Sequence, residues 1–234
     1  MHTQSKNPQR LVATALTLTL GACGAASAER VDGTQVSMIA GNVAAGQRHS
    51  CSVSEVGAVR CSGDNAAGQL GNGRSEGRGK SVAVVGLDAG VVAVGIGDYH
   101  TCALSAGGAV KCWGLNNFGQ LGDGSGRFQA SVPVAVVGLQ SGVIGLAVGK
   151  RHNCALLSGG TVKCWGSNSA GQLGGDATDR SAVPIAVKGL GAAATEIRVA
   201  RSQSCAALSG GSFKCWGDSD NGSTPGLNIA RGNR

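Results

Sequence analysis

The chain has 234 residues, of which 41 are glycine and only 3% aromatic, with thirteen carboxylates and a formal net charge of +7. So few rings exclude a thick aromatic core, and thirteen carboxylates with no repeated pair exclude two-carboxylate acid–base catalysis. After residue 22 no apolar stretch approaches the ~20 residues that a bilayer-spanning helix needs, which excludes such a helix there.

The first predicted element is a leader. Lys6 and Arg10 flank a short basic head, an apolar run extends from Leu11 to Leu20, and Leu20-Gly21-Ala22-Cys23 follows at once. The run is too short to span a bilayer, so residues 1–22 read as an export signal that is removed. Leu-Gly-Ala-Cys resembles the bacterial lipobox, in which the cysteine receives a diacylglyceryl group and becomes the first mature residue. Cys23 is therefore the expected lipidation site. Ala26-Ser27-Ala28 offers a competing cut of the small-x-small type. Either cut carries the rest of the chain out of the cytoplasm, to a lipid-anchored place in the cell envelope or to secretion. Residues 23–35 then form a tether and N-terminal segment.

From residue 36 the chain is a tandem array. Eight of the nine cysteines fall into four pairs of one spacing: Cys51 and Cys61, Cys102 and Cys112, Cys154 and Cys164, Cys205 and Cys215. Their first members step by 51, 52 and 51 residues, which defines units of about 36–87, 88–139, 140–191 and 192–217, with an irregular tail over 218–234. Disulfides persist in oxidising compartments, and the repeat reduces the pairings to bonds within a unit or between neighbours. Each pair brackets a hairpin such as Cys102-Ala-Leu-Ser-Ala-Gly-Gly-Ala-Val-Lys-Cys112, whose paired glycines supply positive φ for a tight turn. Centring the turn on Gly107 sets Cys102 opposite Cys112 and Leu104 opposite Val110, within reach of a bridge. Four local disulfides are expected, each worth roughly 2 to 3 kcal/mol for a loop of about eleven residues. They would supplement a thin core of Val, Leu, Ile and Ala.

Within the second unit the order is Val91-Val-Ala-Val-Gly-Ile-Gly, Tyr99-His-Thr-Cys-Ala-Leu, Ala109-Val-Lys-Cys-Trp-Gly, Asn116-Asn-Phe-Gly-Gln-Leu-Gly and Val132-Pro-Val-Ala-Val-Val-Gly-Leu. Short β-rich runs, four to a unit and separated by glycine clusters, predict propeller blades, and no convincing helical period follows the leader. The fold class expected is all-β: a β-propeller-type repeat array of about four blades in an open or incomplete ring.

His-x-Cys-Ala-Leu, Val-Lys-Cys-Trp-Gly and Gly-Gln-Leu-Gly in fixed order resemble the repeat of the regulator of chromosome condensation family, over about residues 36 to 217. The resemblance implies propeller blades, seven to a closed ring. The paired cysteines resemble exported bacterial members, a group that includes a propeller-type β-lactamase inhibitor protein binding its target across one rim. Unit one departs by having Ser62 where the others have Trp113, Trp165 and Trp216. Unit four has Gln203 where the others have His49, His100 and His152, and it lacks the Gly-Gln-Leu-Gly loop and a clear fourth strand. About three and a half units fall short of seven, so an open arc with two exposed blade faces is expected, a candidate for self-association or docking.

Candidate sites are few. His100, Cys102 and Cys112 share one hairpin face, a convergence that zinc would accept. Unit four keeps both cysteines and replaces the histidine with Gln203, which favours disulfides and no metal. Gly-Gln-Leu-Gly lacks the lysine and helix of a phosphate loop and reads as a bend with a leucine plug. The tryptophans read as packing residues. Arg60, Lys111, Lys163 and Lys214 recur at one place per unit and form a possible cationic binding track for an acidic protein or polyanion. The net charge falls to +5 once Lys6 and Arg10 leave, and an exported chain is a poor nucleic-acid partner.

The histidines recur at one structural position per unit and no repeated carboxylate pair occurs, so neither an enzyme nor a cofactor is expected. The function expected is an exported, lipid-anchored module that binds a protein or an envelope surface component and touches the membrane only through its anchor. The alternatives are guanine-nucleotide exchange, by analogy with the family's founding member, and a metal or redox role for the Cys-His sets. An export signal and four disulfides oppose the nuclear setting of the first.

Overall fold

The computed structural model describes residues 43–177 and 179–218; the leader, Cys23, the tether and the tail from residue 219 lie outside the described residues. Among the described residues fifteen strands make four antiparallel sheets, each in sequential order. The first holds β1 (Val43–Ala45), β2 (His49–Val53), β3 (Val59–Asp64) and β4 (Arg78–Ala83). The second holds β5 (Val91–Ile96), β6 (His100–Ser105), β7 (Val110–Leu115) and β8 (Gln129–Ala135). The third holds β9 (Val143–Val148), β10 (His152–Leu157), β11 (Val162–Ser167) and β12 (Arg180–Ala186). Among the described residues the fourth has three strands: β13 (Ala194–Val199), β14 (Gln203–Leu208) and β15 (Phe213–Gly217). Successive sheets stack face to face as blades of an arc, first on second, second on third, third on fourth.

The core lies between blades. β6 and β10 are covered on both faces, so their sequences read as continuous small and apolar runs and not as a two-period alternation. Cys51, Val53, Val59 and Cys61 of the first blade pack on Val94, Ile96, Ala103 and Trp113 of the second. Cys102, Val110 and Cys112 meet Leu146, Val148, Ala155 and Trp165 in the same way. Cys154, Leu156 and Cys164 meet Ile197, Val199, Ala206 and Trp216. Residues i and i+2 share a strand face, so in the first three blades the cysteines look forward to the next blade, and in the second to fourth the tryptophan looks back.

Cys102 lies opposite Cys112 and Leu104 opposite Val110, with equivalent cysteine registers in the other blades. The opposed cysteines have Cα atoms 4.0 to 4.1 Å apart and sulfurs 2.05 to 2.13 Å apart, at bonding distance. At the hairpin turn of the second blade only the second glycine carries positive φ, since Gly108 sits at +76° and Gly107 does not enter that region. A Cβ on Gly108 would lie 2.7 Å from the backbone nitrogen of Gly142, where the chain enters the third blade. A Cβ on Gly107 would meet no heavy atom closer than 3.9 Å. Gly108→Ala is therefore expected to lower stability by about 2 kcal/mol, and Gly107→Ala to change it by less than ~0.5 kcal/mol. Urea midpoints of the two variants check this pair, and equal midpoints would refute the assignment.

The two outer faces of the arc differ. The first blade presents half-buried Ser52 and exposed Arg60 where inner blades have alanine and lysine, and Ser62, joined to Ser50 at 3.1 Å, where they have tryptophan. The fourth presents Phe213, 43% exposed, beside Cys215.

Candidate functional site

Every seam carries the same polar tie. His49 Nε2 lies 2.8 Å from Thr101 Oγ1, His100 Nε2 2.8 Å from Asn153 Oδ1, and His152 Nε2 2.9 Å from Ser204 Oγ, each across to the next blade. The receiving side chains in turn donate to the backbone carbonyls of Gln69, Gln120 and Gln172 at 2.8 to 2.9 Å. The Nε1–H groups of Trp113, Trp165 and Trp216 donate to the same three carbonyls at 2.9 to 3.0 Å. The single hydroxyl hydrogens of Thr101 and Ser204 are used on glutamine carbonyls, and Asn153 presents its oxygen. Each histidine must therefore be the donor through Nε2–H. Its Nδ1 is buried without a partner in all three blades.

A charge has no place in these seams. Burial lowers His49 to about 4, with the His100 charge adding to the effect and Asp64 opposing it. Burial lowers His100 to about 4, opposed by its bond to Asn153, and lowers His152 to about 3, helped by His100. The histidine of each hairpin bonds across the seam, Cys102 Sγ lies 3.7 Å from the same Asn153 oxygen, and the two sulfurs of each pair sit at bonding distance; among the described residues no three His, Cys, Asp or Glu side chains are grouped to hold a metal ion.

The Gly-Gln-Leu-Gly loops complete the tie. Asn65, Asn116 and Asn168 accept from the N–H of Leu70, Leu121 and Leu173 at 2.9 to 3.0 Å, and those leucines are fully buried. The loop glutamines accept from backbone N–H groups through Oε1 at 2.8 to 2.9 Å, which leaves their carbonyls facing the next blade.

The repeated cations lie on the backward-looking face of each third strand, opposite Ala83, Ala135 and Ala186 in the first three blades. Arg60 is clasped by Ser81, through Oγ at 3.0 Å and its carbonyl at 2.7 Å. Lys214 donates to the Gly189 carbonyl at 2.6 Å, while Lys111 and Lys163 are half-buried beside their seams.

A different set of residues comes together at the axis of the arc. The turn between the first two strands of each blade has a two-residue tip: Gln47-Arg48, Asp98-Tyr99, Lys150-Arg151 and Arg201-Ser202. These turns close around one cavity of about 370 Å³, which all four blades line. The tips are held from behind. Gly63, Gly114 and Gly166, just after the serine or tryptophan position, adopt φ of +100 to +113°, where a Cβ would strike the carbonyls of Arg48, Tyr99 and Arg151 at 2.3 to 2.5 Å. The next residue in each blade donates its N–H to that carbonyl at 2.8 to 2.9 Å. The backbone is fixed, and the side chains are left to the cavity.

Those side chains are charged and aromatic. The Arg48 guanidinium stacks 4.3 Å from the Tyr99 ring and lies 3.8 Å from Asp64. Arg151 stacks 5.1 Å from Phe118, and Lys150 lies 3.7 Å from Asp98. Burial raises the Asp98 carboxyl, an effect that Lys150, Arg151 and Arg48 partly offset. Arg48, Lys150 and Arg151 thus act on one carboxylate, Arg201 lines the same cavity, and the site is cationic. By its charge such a site suits an acidic ligand.

Two models described as the regulator of chromosome condensation (RCC1) repeat match the chain, one over residues 91–120 and 143–172, the other over 108–156. The chain belongs to the RCC1 repeat family. The probable E3 ubiquitin-protein ligase HERC4 of Homo sapiens is 36% identical over 170 residues, which are 70% of this chain and 16% of HERC4. The ultraviolet-B receptor UVR8 of Arabidopsis thaliana is 35% identical over 141 residues, 59% of this chain and 32% of the receptor. The RCC1 repeats here span less than a third of these curated relatives. Yeast RCC1 (Prp20), solved bound to Kap60, superposes with a TM-score of 0.64 at 20% identity, over 80% of this chain and 45% of that one. Human WBSCR16 superposes at 0.62 with 27% identity, over 80% and 48% of the two chains. The yeast likeness is one of fold alone.

Composition and motif spacing missed the tips, because the RCC1 repeat is recognised by what recurs and the tips are what does not. A signal was present in the two residues before His49, His100, His152 and Gln203, where glutamine, aspartate, lysine and arginine are each followed by a different or larger side chain. The seam roles of Thr101, Asn153 and Ser204 were also hidden, since three different residue types do one task.

Proposed function

We propose that this chain is an exported, non-catalytic RCC1 repeat module that binds a protein, held at the envelope by a lipid on Cys23. The observation that carries the reading is the contrast between seam and tip. The ties between blades repeat in kind three times over, whereas the four tips at one cavity differ from blade to blade. A repeated scaffold that displays unlike side chains in one place is built for recognition of a specific surface. The cysteine pairs at bonding distance fit an oxidising compartment and support export. No helix among the described residues is long and apolar enough to cross a membrane. The yeast fold relative has been solved bound to Kap60 and has binding properties toward Gsp1p and histones, so protein binding suits this fold. The repeated cations Arg60, Lys111, Lys163 and Lys214 form a secondary track, and the Phe213 face is a second contact surface open to self-association.

Mass spectrometry of the protein isolated from its native compartment tests the reading. The expected result is a chain starting at Cys23 with one diacylglyceryl group, lacking eight hydrogens relative to the reduced form. A photo-crosslinker placed at Tyr99 is expected to trap one protein in stoichiometric yield. Eight free thiols with bound zinc, or acceleration of nucleotide release from a small GTPase, would replace this function with a metal or exchange role.

A further inference from the structure

The axial cavity continues outward along the seam of the second and third blades. A pocket of about 200 Å³ shares Asp98, Tyr99, Lys150 and Arg151 with it and adds Asn117 and Phe118. A third, of about 380 Å³, shares Asn117 and adds Arg127, Phe128 and Arg180. Linked by these shared residues, the three form one groove from the axial tips to the outer loops.

Its chemistry is graded. Arg127 is already paired with Asp123 at 2.9 Å, and Lys150 lies 3.7 Å from Asp98. Arg151 and Arg180 have no carboxylate partner among the described residues; one stacks on Phe118, and the other is held by the Asn117 carbonyl at 2.7 Å. Both guanidiniums are exposed and oriented, so little entropy is lost when a carboxylate arrives. The side-chain oxygen of Asn117, at the junction of the two outer pockets, is buried and accepts no hydrogen bond. Phe128, 65% exposed, offers a ring at the outer end.

We propose that this groove binds an extended acidic segment of a partner protein, its carboxylates on Arg151 and Arg180 and one backbone N–H on the Asn117 oxygen. The proposal rests on the protein-binding reading above and names its surface and partner chemistry. The groove's own composition selects a polypeptide over a sulfated or phosphorylated polymer. Asp98 lies in its floor, and an acceptor without a donor waits at its middle. A polymer charged at every unit would set charge against Asp98 throughout, whereas a peptide with spaced carboxylates can carry a neutral residue past Asp98 and offers a backbone N–H at each step.

The test uses the full mature chain and three probes: a fluorescein-labelled peptide of alternating glutamate and serine, an all-serine peptide of equal length, and heparin. Fluorescence anisotropy is expected to show binding of the glutamate peptide at least about tenfold tighter than the serine peptide, weakening as salt rises. Arg151→Glu with Arg180→Glu is expected to weaken the glutamate peptide at least about tenfold, while the same charge change at two exposed cations outside the groove, Arg78→Glu with Lys80→Glu, changes it less than about twofold. Unaltered thermal unfolding of both double variants shows that each remains folded. Equal binding of glutamate and serine peptides, indifference to the Arg151 and Arg180 reversal, or tighter binding of heparin at matched charge would each overturn the groove assignment. If the Tyr99 crosslinker still traps its protein in the reversed variant, the binding function stands and the groove alone falls. If it traps none even in the unaltered chain, the function itself falls.

Discussion

Trp165→Ala is expected to lower the stability of the chain by about 3 to 5 kcal/mol, a large part of what a domain of this kind possesses. The ring is wholly buried between the second and third blades, in contact with the cluster that holds Cys102, Cys112 and Leu121. A Cβ on Gly122 would already lie 2.8 Å from this indole, so the site has no slack in which to rearrange, and a cavity would persist. The lost hydrogen bond is the smaller part. The Gln120 carbonyl that accepts from Trp165 at 3.0 Å also accepts from Asn153 at 2.8 Å and keeps one partner. Trp165→Phe should therefore cost about 1 to 2 kcal/mol, and Trp216→Ala, at a half-buried position, less than Trp165→Ala. Urea unfolding of the three variants checks the order. A Trp165→Ala midpoint within error of the parent would mean that the seams do not carry the stability of the arc.

Acid is expected to dismantle the same seams. An unfolded histidine titrates near 6.5, whereas folded His49 and His100 are lowered to about 4 and His152 to about 3. Between those values the unfolded chain binds more protons than the folded one, so stability is whole above pH 6.5 and declines as pH falls through that window. Each histidine contributes roughly 1.4 kcal/mol per pH unit, so three together remove on the order of 10 kcal/mol by pH 4, comparable with the ~5 to 15 kcal/mol of an ordinary domain. Loss of structure is expected between pH 5 and 4, well inside the window. His152→Gln supplies the control, because glutamine stands at this position in the fourth blade and can donate to Ser204 as the imidazole does. It should remove about a third of the slope of unfolding free energy against pH between 6.5 and 4. A parent chain whose urea midpoint is unchanged from pH 7 to 5 would show that the imidazoles are not buried as described.

Much of the fold is legible from residue spacing. Cys102 and Cys112 flank a turn that sets them opposite one another, and the same register appears in all four hairpins. The turn detail is finer than a pair of glycines suggests: Gly108 combines positive φ with the next blade's backbone passing 2.7 Å from where a Cβ would sit, and that second constraint is invisible within one hairpin. The Trp positions are legible as apolar, but their hydrogen bonds to Gln69, Gln120 and Gln172 join residues 44 or 45 apart in different blades. Gly-Gln-Leu-Gly reads as a bend with a plug; its glutamine carbonyl acts on the neighbouring blade.

The amino-acid sequence by itself determined what each blade is: the unit length, the strands, the opposed cysteines, the family to which the repeat belongs. Those features depend on neighbours a few residues apart and on a two-residue strand period, both of which are written along the chain. Only the tertiary structure decided which polar groups meet. The tips at Arg48, Tyr99, Lys150 and Arg151 are about fifty residues apart from blade to blade and share no motif. They converge because each seam, tied by one histidine, one tryptophan and one glutamine carbonyl, sets the angle at which a blade follows the last. That angle is a property of packed faces, and no single repeat contains it.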